Sequence, residues 1–171
     1  TASFSAGGFN ITNLAEPSSS ADAATRSYVD SKSAGLKPKD SVALATTASD
    51  GNIALSSSTT SIDSVLLSTL VSGVSRILVK NQTNATENGV YTYVSGGGLW
   101  SRPIDMDASD EFVGAYMFVN GGTINQGSSF VCSNTAPPTI GATPITFSVF
   151  SSSIQVTVAS PLTKTGNVIS L

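Results

Sequence analysis

The apolar positions of this chain fall in short runs separated by polar turns, and the clearest pair flanks a long polar stretch. Ile77, Leu78 and Val79 are β-branched or aliphatic, as a mostly buried strand requires, and Val90 to Val94 suit a second strand. Between them, Asn81 to Gly89 holds no apolar residue larger than Ala85. Asn88-Gly89 reads as a turn because both residue types tolerate positive φ. The centre of the chain is therefore expected to be an antiparallel hairpin. Its polar tip, Asn81 to Asn88, should be exposed, since each unpaired polar group buried there would cost about 1–3 kcal/mol.

Similar runs recur on both sides of this hairpin. Strands are expected at Val42 to Ala45, Ile53 to Leu55, Ile62 to Leu67, Arg76 to Lys80, Leu99 to Arg102, Ala115 to Val119, Ser129 to Cys132 and Ile145 to Phe150. Val65 to Val71 also fits a short helical turn. Asp50-Gly51, Gly73, Gly96 to Gly98, Asn120 to Gly122 and Pro137-Pro138 punctuate the series. This pattern predicts a mostly β fold, an antiparallel sandwich or barrel. Tyr91, Tyr93 and Trp100 surround the Gly-rich bend, a pattern that favours core or cross-strand packing over a ligand platform.

The two ends differ from the middle. Phe4, Phe9, Ile11 and Leu14 form a sparse apolar segment broken by Pro17 and Ser18 to Ser20. Asp22 is placed to cap a short helix through Ala24, Tyr28 and Val29 to about Ala34, with Gly35 just beyond. Such a helix is marginal alone and needs a partner. After Ser151 to Ser153, the residues Ile154, Val156 and Val158 alternate with polar or small neighbours as in a strand, and Pro161 to Asn167 forms a turn before Val168 to Leu171. Three segments result: 1–35 with the short helix, a β-rich module at 36–150, and an extended exit segment at 151–171. The start at Thr1 and the pattern cut short at Leu171 lead us to expect an excised fragment.

Composition narrows the function classes. Only 11% of the 171 residues are charged, and Ser and Thr supply the polar surface instead. There is no His, the commonest general base and metal ligand. A net charge of −3 gives no electrostatic case for nucleic acid. No run approaches the roughly 20 apolar residues of a membrane span. Cys132 is the single cysteine, so no intrachain disulfide forms; beside Phe130 and Val131 it reads as a small buried hydrophobe.

The run NITNLAEP followed by DAATRSYVDS resembles the repeat found along phage tail fibres and related viral fibres. Ile11, Asn13, Leu14, Pro17, Asp22, Ala23, Ala24, Thr25, Tyr28, Val29 and Asp30 carry the likeness, with Arg26 where Lys is usual. GLKPKDSV, LVKNQT, ENGVY, Trp100 followed by Arg102 and Asp105-Met106-Asp107, and Phe118-Val119 before Gly122-Thr123 are similar to a module of phage tail proteins. That family usually has Gly-Asp-Arg before LVKNQT; here Val74-Ser75-Arg76 stands there, so that turn is expected to differ. PLTKTGNVISL looks like a fibre shaft repeat. The resemblance implies a parallel homotrimer on the virion surface, joined to neighbouring fibre segments. It supplies no catalytic residue.

Candidate chemistry is sparse. Asp105, Asp107 and Ser109 match the first three ligand positions of a calcium loop, but Val113 and Tyr116 stand where ligands should finish and position six lacks Gly. With Asp110 and Glu111 this cluster reads as a solvated loop. No second acidic cluster supports a glycosidase pair, and no nucleophile elbow or phosphate loop occurs. Asn10-Ile11-Thr12, Asn81-Gln82-Thr83 and Asn84-Ala85-Thr86 fit the N-glycosylation pattern, which matters only in a secretory pathway. The expectation is a non-enzymatic attachment module without metal or cofactor, contacting host surface glycan through Trp100, Tyr93, Asn81 and Asn84. A ligand-free shaft or linker and a glycan depolymerase fragment are the alternatives.

Overall fold

Alternation along one strand organises the larger part of the molecule. The computed structural model describes residues 6–9, 11–19, 21–26, 28–29 and 35–152, and the backbone of 163–165 and 168–170. The chain divides into two units, Thr1–Leu36 and Lys37–Leu171. The strands are β1 (Lys37–Pro38), β2 (Leu44–Ala45), β3 (Ser61–Ile62), β4 (Val65–Leu66) and β5 (Arg76–Val79). They continue with β6 (Gly89–Thr92), β7 (Ala115–Phe118), β8 (Ser129–Cys132), β9 (Phe147–Ser151), β10 (Thr163–Thr165) and β11 (Val168–Ser170).

β5 pairs antiparallel with β6, matching Ile77 to Tyr91 and Leu78 to Val90, as the hairpin pattern predicts. β2 adds to the other side of β5 to complete a three-stranded sheet. Both faces of this sheet are buried, which is why Ile77, Leu78 and Val79 are all apolar. Leu78, Val90 and Ala45 face one apolar cluster; Ile77, Val79, Tyr91 and Leu44 face the other. The first cluster is closed by Ala115, Met117, Phe130 and Cys132 from a four-stranded sheet of order β1-β7-β8-β9. The second is closed by Ile53, Ile62, Leu67, Tyr93 and Trp100.

The fold is mostly β, but no sheet among the described residues closes into a barrel, and not all pairing is antiparallel. β1 runs parallel to β7 and β2 parallel to β5. The reason lies in segment 37–46, which serves both sheets. Lys39 N–H donates to Tyr116 O at 2.8 Å and Val42 N–H to Phe118 O at 2.9 Å. One residue later Ala43 N–H donates to Arg76 O at 2.8 Å, and Thr46 N–H to Leu78 O at 2.9 Å. The strand thus leaves one sheet for the other between Val42 and Ala43, turning a corner of the kind that joins packed sheets.

Other expected strands shrink to single bridges or to none. Leu99 to Arg102 contributes only the bridges of Leu99 to Ser56 and Ser101 to Thr92, and among the described residues Ile53 to Leu55 forms none, Ser56 lying just beyond it. Ile62 to Leu67 splits into the β3–β4 hairpin, followed by a 3-10 turn at Leu67–Thr69 within the stretch that also fitted a helical turn. The split occurs because Asp63 and Ser64 take φ of 48° and 65°, the left-handed pair of a tight hairpin. The Asp63 carboxylate, buried, accepts from Ile124 N–H at 2.9 Å and Asn125 N–H at 2.8 Å. Asn125 then donates through Nδ2 to Ala45 O at 2.9 Å, tying this hairpin to β2.

The tip between β5 and β6 is not an exposed loop throughout. Gln82 and Asn88 are 7% and 4% exposed. Gln82 pairs with Ile53 as a backbone would: Oε1 accepts from its N–H and Nε2 donates to its C=O, each at 2.9 Å. Asn88 Oδ1 accepts from Gln82 N–H at 3.0 Å while Nδ2 donates to Ile145 O at 2.9 Å. Burial costs little because every amide group is partnered. Nor is Asn88-Gly89 a left-handed turn. Asn88 has φ −61°, and the reversal is made by a 3-10 turn at Ala85–Glu87. Gly89 is needed for another reason: at φ 145° its missing Cβ would overlap the Arg102 guanidinium.

In the first unit, residues 26, 28 and 29 are helical, and Val29 N–H donates to Thr25 O at 3.1 Å. The cap is Thr25, whose Oγ1 accepts from Tyr28 N–H at 3.0 Å, not Asp22. Asp22 turns back to accept from Ser18 and Ser19 N–H at 2.9 and 2.7 Å, bonds that hold its carboxyl below the usual range. Residues 31–34 and the expected strand at 154–158 lie outside the described residues. β10 and β11 form a hairpin matching Thr163 to Ser170.

Gly122→Ala should destabilise the protein by more than about 1 kcal/mol in urea melts, because φ is 115° and a Cβ would sit 2.2 Å from Asp63 Oδ2. The amides of Ile53 and Gln82 should exchange slowly with solvent deuterium; rapid exchange at both would refute the buried-tip geometry.

Candidate functional site

Three loops, 53–60, 66–75 and 93–100, weave together at one end of the second cluster. Their Ser and Thr hydroxyls act largely as caps for backbone groups. Ser57 Oγ accepts from Gly97 N–H at 2.8 Å, Ser72 Oγ from Ser95 N–H at 3.0 Å, and Thr59 Oγ1 donates to Ala54 O at 2.6 Å. Backbone bonds add to this: Trp100 N–H to Leu55 O at 3.0 Å and Gly73 N–H to Tyr93 O at 2.8 Å. The loops are therefore held by many short bonds although they contain little regular strand.

They enclose a groove of about 300 Å³, at the small end of ligand sites. Ser57, Thr59, Thr60 and Ser68 supply its hydroxyls; Leu66, Leu67 and Tyr93 supply its apolar wall. Leu66 is 60% exposed and forms a ledge, whereas Leu67 is buried beneath. Among the described residues the hydroxyls of Thr60 and Ser68 make no internal hydrogen bond, so both can serve a ligand. No charged side chain lines the groove. It can exchange hydrogen bonds with neutral polar groups and cover an apolar face. It holds no acid, base or nucleophile pair.

Of the four residues expected to contact ligand, Tyr93 and Trp100 meet each other in the core, and neither Asn81 nor Asn84 lines the groove. Tyr93 borders the groove but is only 6% exposed. Trp100, also 6% exposed, meets the Tyr93 ring edge-on at 5.9 Å and donates through Nε1 to Val94 O at 3.3 Å. Its face is core, with no room for a stacked sugar. Asn81 Oδ1 accepts from Thr46 Oγ1 at 3.0 Å and Lys80 Nζ at 3.2 Å. Asn84 Oδ1 caps its own 3-10 turn through Thr86. Ser57, Thr59, Thr60, Leu66 and Ser68 escaped the sequence reading. Their one signal is the hydroxyl-rich run Ser56 to Ser61, which resembles any flexible linker.

No family model, curated protein or solved structure matches this chain. The geometry therefore carries the functional argument, together with the motifs quoted above.

The acidic cluster is solvated at Asp107 and Asp110, which are exposed as expected, but it is anchored at Asp105. Asp105 Oδ2 accepts from Arg76 Nη1 at 3.0 Å, and Asp40 approaches the same nitrogen at 3.5 Å. Lys39 Nζ donates to Asp105 O at 2.6 Å and Lys37 Nζ to Asp110 O at 2.8 Å. A guanidinium thus stands where a cation would bind Asp105. Among the described residues, no three of Asp, Glu, His or Cys converge on one point.

Arg102 lies over the rings of Tyr91 and Phe112, at 4.8 and 5.4 Å, and donates through Nη2 to Asn88 O at 2.8 Å. It braces the buried loop tip, a packing role. Cys132 is buried and its Sγ donates to Asn134 Oδ1 at 3.4 Å. Burial pushes its thiol pKa up, and the backbone N–H of Asn134, not the bond to its side chain, opposes the shift.

Trp100→Ala should cost about 3–5 kcal/mol of stability, and Trp100 fluorescence should resist acrylamide quenching in the native protein. Because the raised pKa keeps Cys132 protonated, its alkylation by iodoacetamide should stay slow as pH rises through the ordinary thiol range, and become fast only in denaturant. Native alkylation at the rate of a free peptide thiol would contradict this placement.

Proposed function

We propose that the chain is a host-attachment module of a viral fibre, such as a phage tail fibre, displayed on the virion surface and binding neutral host glycan in the groove walled by Tyr93. The single observation that carries the ligand assignment is the groove's lining of hydroxyls and apolar side chains without any charge. Sugar hydroxyls would bond Thr60 and Ser68, while the C–H face of a ring would rest on Leu66 and the Tyr93 edge. The fibre assignment is supported by the DAATRSYVD and LVKNQT…ENGVY motifs. We read the two sheets that share the first apolar cluster as a sandwich in such a module.

The protein is proposed to act as a parallel homotrimer, joined to neighbouring fibre segments. Support comes from the first unit, where Phe9, Ile11 and Val29 are 83%, 57% and 51% exposed. With Leu14, Ala23 and Ala24, Phe9 and Ile11 border a groove of about 550 Å³. Apolar surface of this kind is what an association would cover, and a three-fold axis lets identical patches meet and close. The reading is non-enzymatic: no carboxylate lines the Tyr93 groove, which counts against a depolymerase. A ligand-free shaft module is the second reading, favoured by the commitment of Trp100, Asn81 and Asn84 to internal bonds.

Calorimetric titration with neutral oligosaccharides, chosen from a glycan array, separates the two. Binding that weakens about tenfold or more in Ser68→Trp, which fills the groove from an exposed position, supports the attachment reading. Absence of binding to every neutral glycan supports the shaft reading. Release of reducing sugar from host polysaccharide would overturn both.

A further inference from the structure

The two larger sheets have four edges, and among the described residues two of them are covered and a third is guarded. The β2 edge is covered by Asn125, whose Nδ2 donates to the carbonyls of Ala45 and Thr46 at 2.9 and 3.3 Å. The β6 edge is met by Ser101, whose carbonyl accepts from Thr92 N–H at 2.8 Å. The β1 edge carries Pro38, which has no N–H, between Lys37 and Lys39. Proline and lysine are the usual guards of a free edge.

The fourth edge, β9, has no such guard. Among the described residues it pairs with β8 alone. A strand at an edge leaves alternate N–H and C=O groups pointing away from the sheet. β9 contains neither Pro nor a charged residue, and Val149 and Phe150 are 59% and 54% exposed. The adjoining sheet surface continues this character. Ala115 and Met117 of β7 point into the core, so Tyr116 and Phe118 point outward. Tyr116 meets Phe150 edge-on at 5.0 Å, and Phe118 is 43% exposed.

Charge distribution says what this surface fits. Between Glu111 and Lys164 the sequence contains no Asp, Glu, Lys or Arg. That span supplies β7, β8 and β9 entirely. A partner bearing charges would have to desolvate them against a surface with nothing to pair them. A second copy of the same surface brings no charge and presents the same aromatics for β9 to rest on.

We propose that β9 and the outward face of Tyr116, Phe118 and Phe150 form the contact between copies of this chain. The inference rests on the homotrimer reading and adds where the subunits meet. Around a three-fold axis the contact is head-to-tail: β9 of one copy lies against the Phe118 face of the next, and the ring closes.

The test uses the whole chain. Light scattering of the wild type at micromolar concentration should give the mass of three chains; a single-chain mass at all concentrations overturns the homotrimer reading and this inference with it. If the wild type is trimeric, Val149→Lys with Phe150→Glu should raise its dissociation constant about tenfold or more. Leu99→Lys, at a site 79% exposed and outside this face, should leave it unchanged. Equal association by wild type and the β9 variant overturns the assigned interface while the trimer stands. Hydrogen exchange on the wild type guards against misfolded variants. Protection of residues 147–151 should rise with protein concentration across the association range. Concentration-independent protection would place the chain's own residues on that edge and overturn the proposal.

Discussion

A three-stranded sheet covered on both faces buries much of its edge, and each N–H and C=O buried there must find a partner. This requirement explains most of the buried polar side chains. Gln82 imitates a strand beside Ile53, Asn125 covers the end of β2, and Asn88 reaches from the hairpin to Ile145. Each amide offers a donor and an acceptor, so each can substitute for backbone. Remove one, and two partners are stranded in a site without solvent. The segment 37–46 serves the same end by completing one sheet and then the other.

The same economy of regular structure produces the groove. Strands here are two to five residues long, so much of the backbone lies in loops that must be capped individually. Ser and Thr do this with short side chains that reach neighbouring loops. Where the capping demand ends, at Thr60 and Ser68, hydroxyls remain available beside an apolar ledge. A surface suited to neutral hydroxylated ligands thus arises from the chemistry that holds the loops. Lys37, Lys39 and Arg76 hold the 105–111 loop, Lys80 and Arg102 pack beside the hairpin, and no charged side chain lines the groove.

What the sequence by itself determined is the local alternation. The β5–β6 hairpin was legible because Ile77 to Val79 and Val90 to Tyr91 are apolar on both faces, and β8 because Ser129 to Cys132 stands between turn signals. Helical residues 26, 28 and 29 fall inside the stretch expected to be a helix, but the cap was not legible: Asp22 and Thr25 are both good caps, and only the turn at Ser18 and Ser19 decides between them. Tertiary structure decided the rest, because those choices depend on partners distant in sequence. Asn81 to Asn88 reads as a solvent loop until Ile53 and Ile145 arrive to pair its amides. Trp100 and Tyr93 read as core more than as platform, and the bonds that bury them come from loops distant in sequence, as in Trp100 N–H to Leu55 O. The parallel pairing of β2 with β5 follows from a strand changing sheets at Val42 and Ala43, and a period of two marks a strand without naming its neighbour.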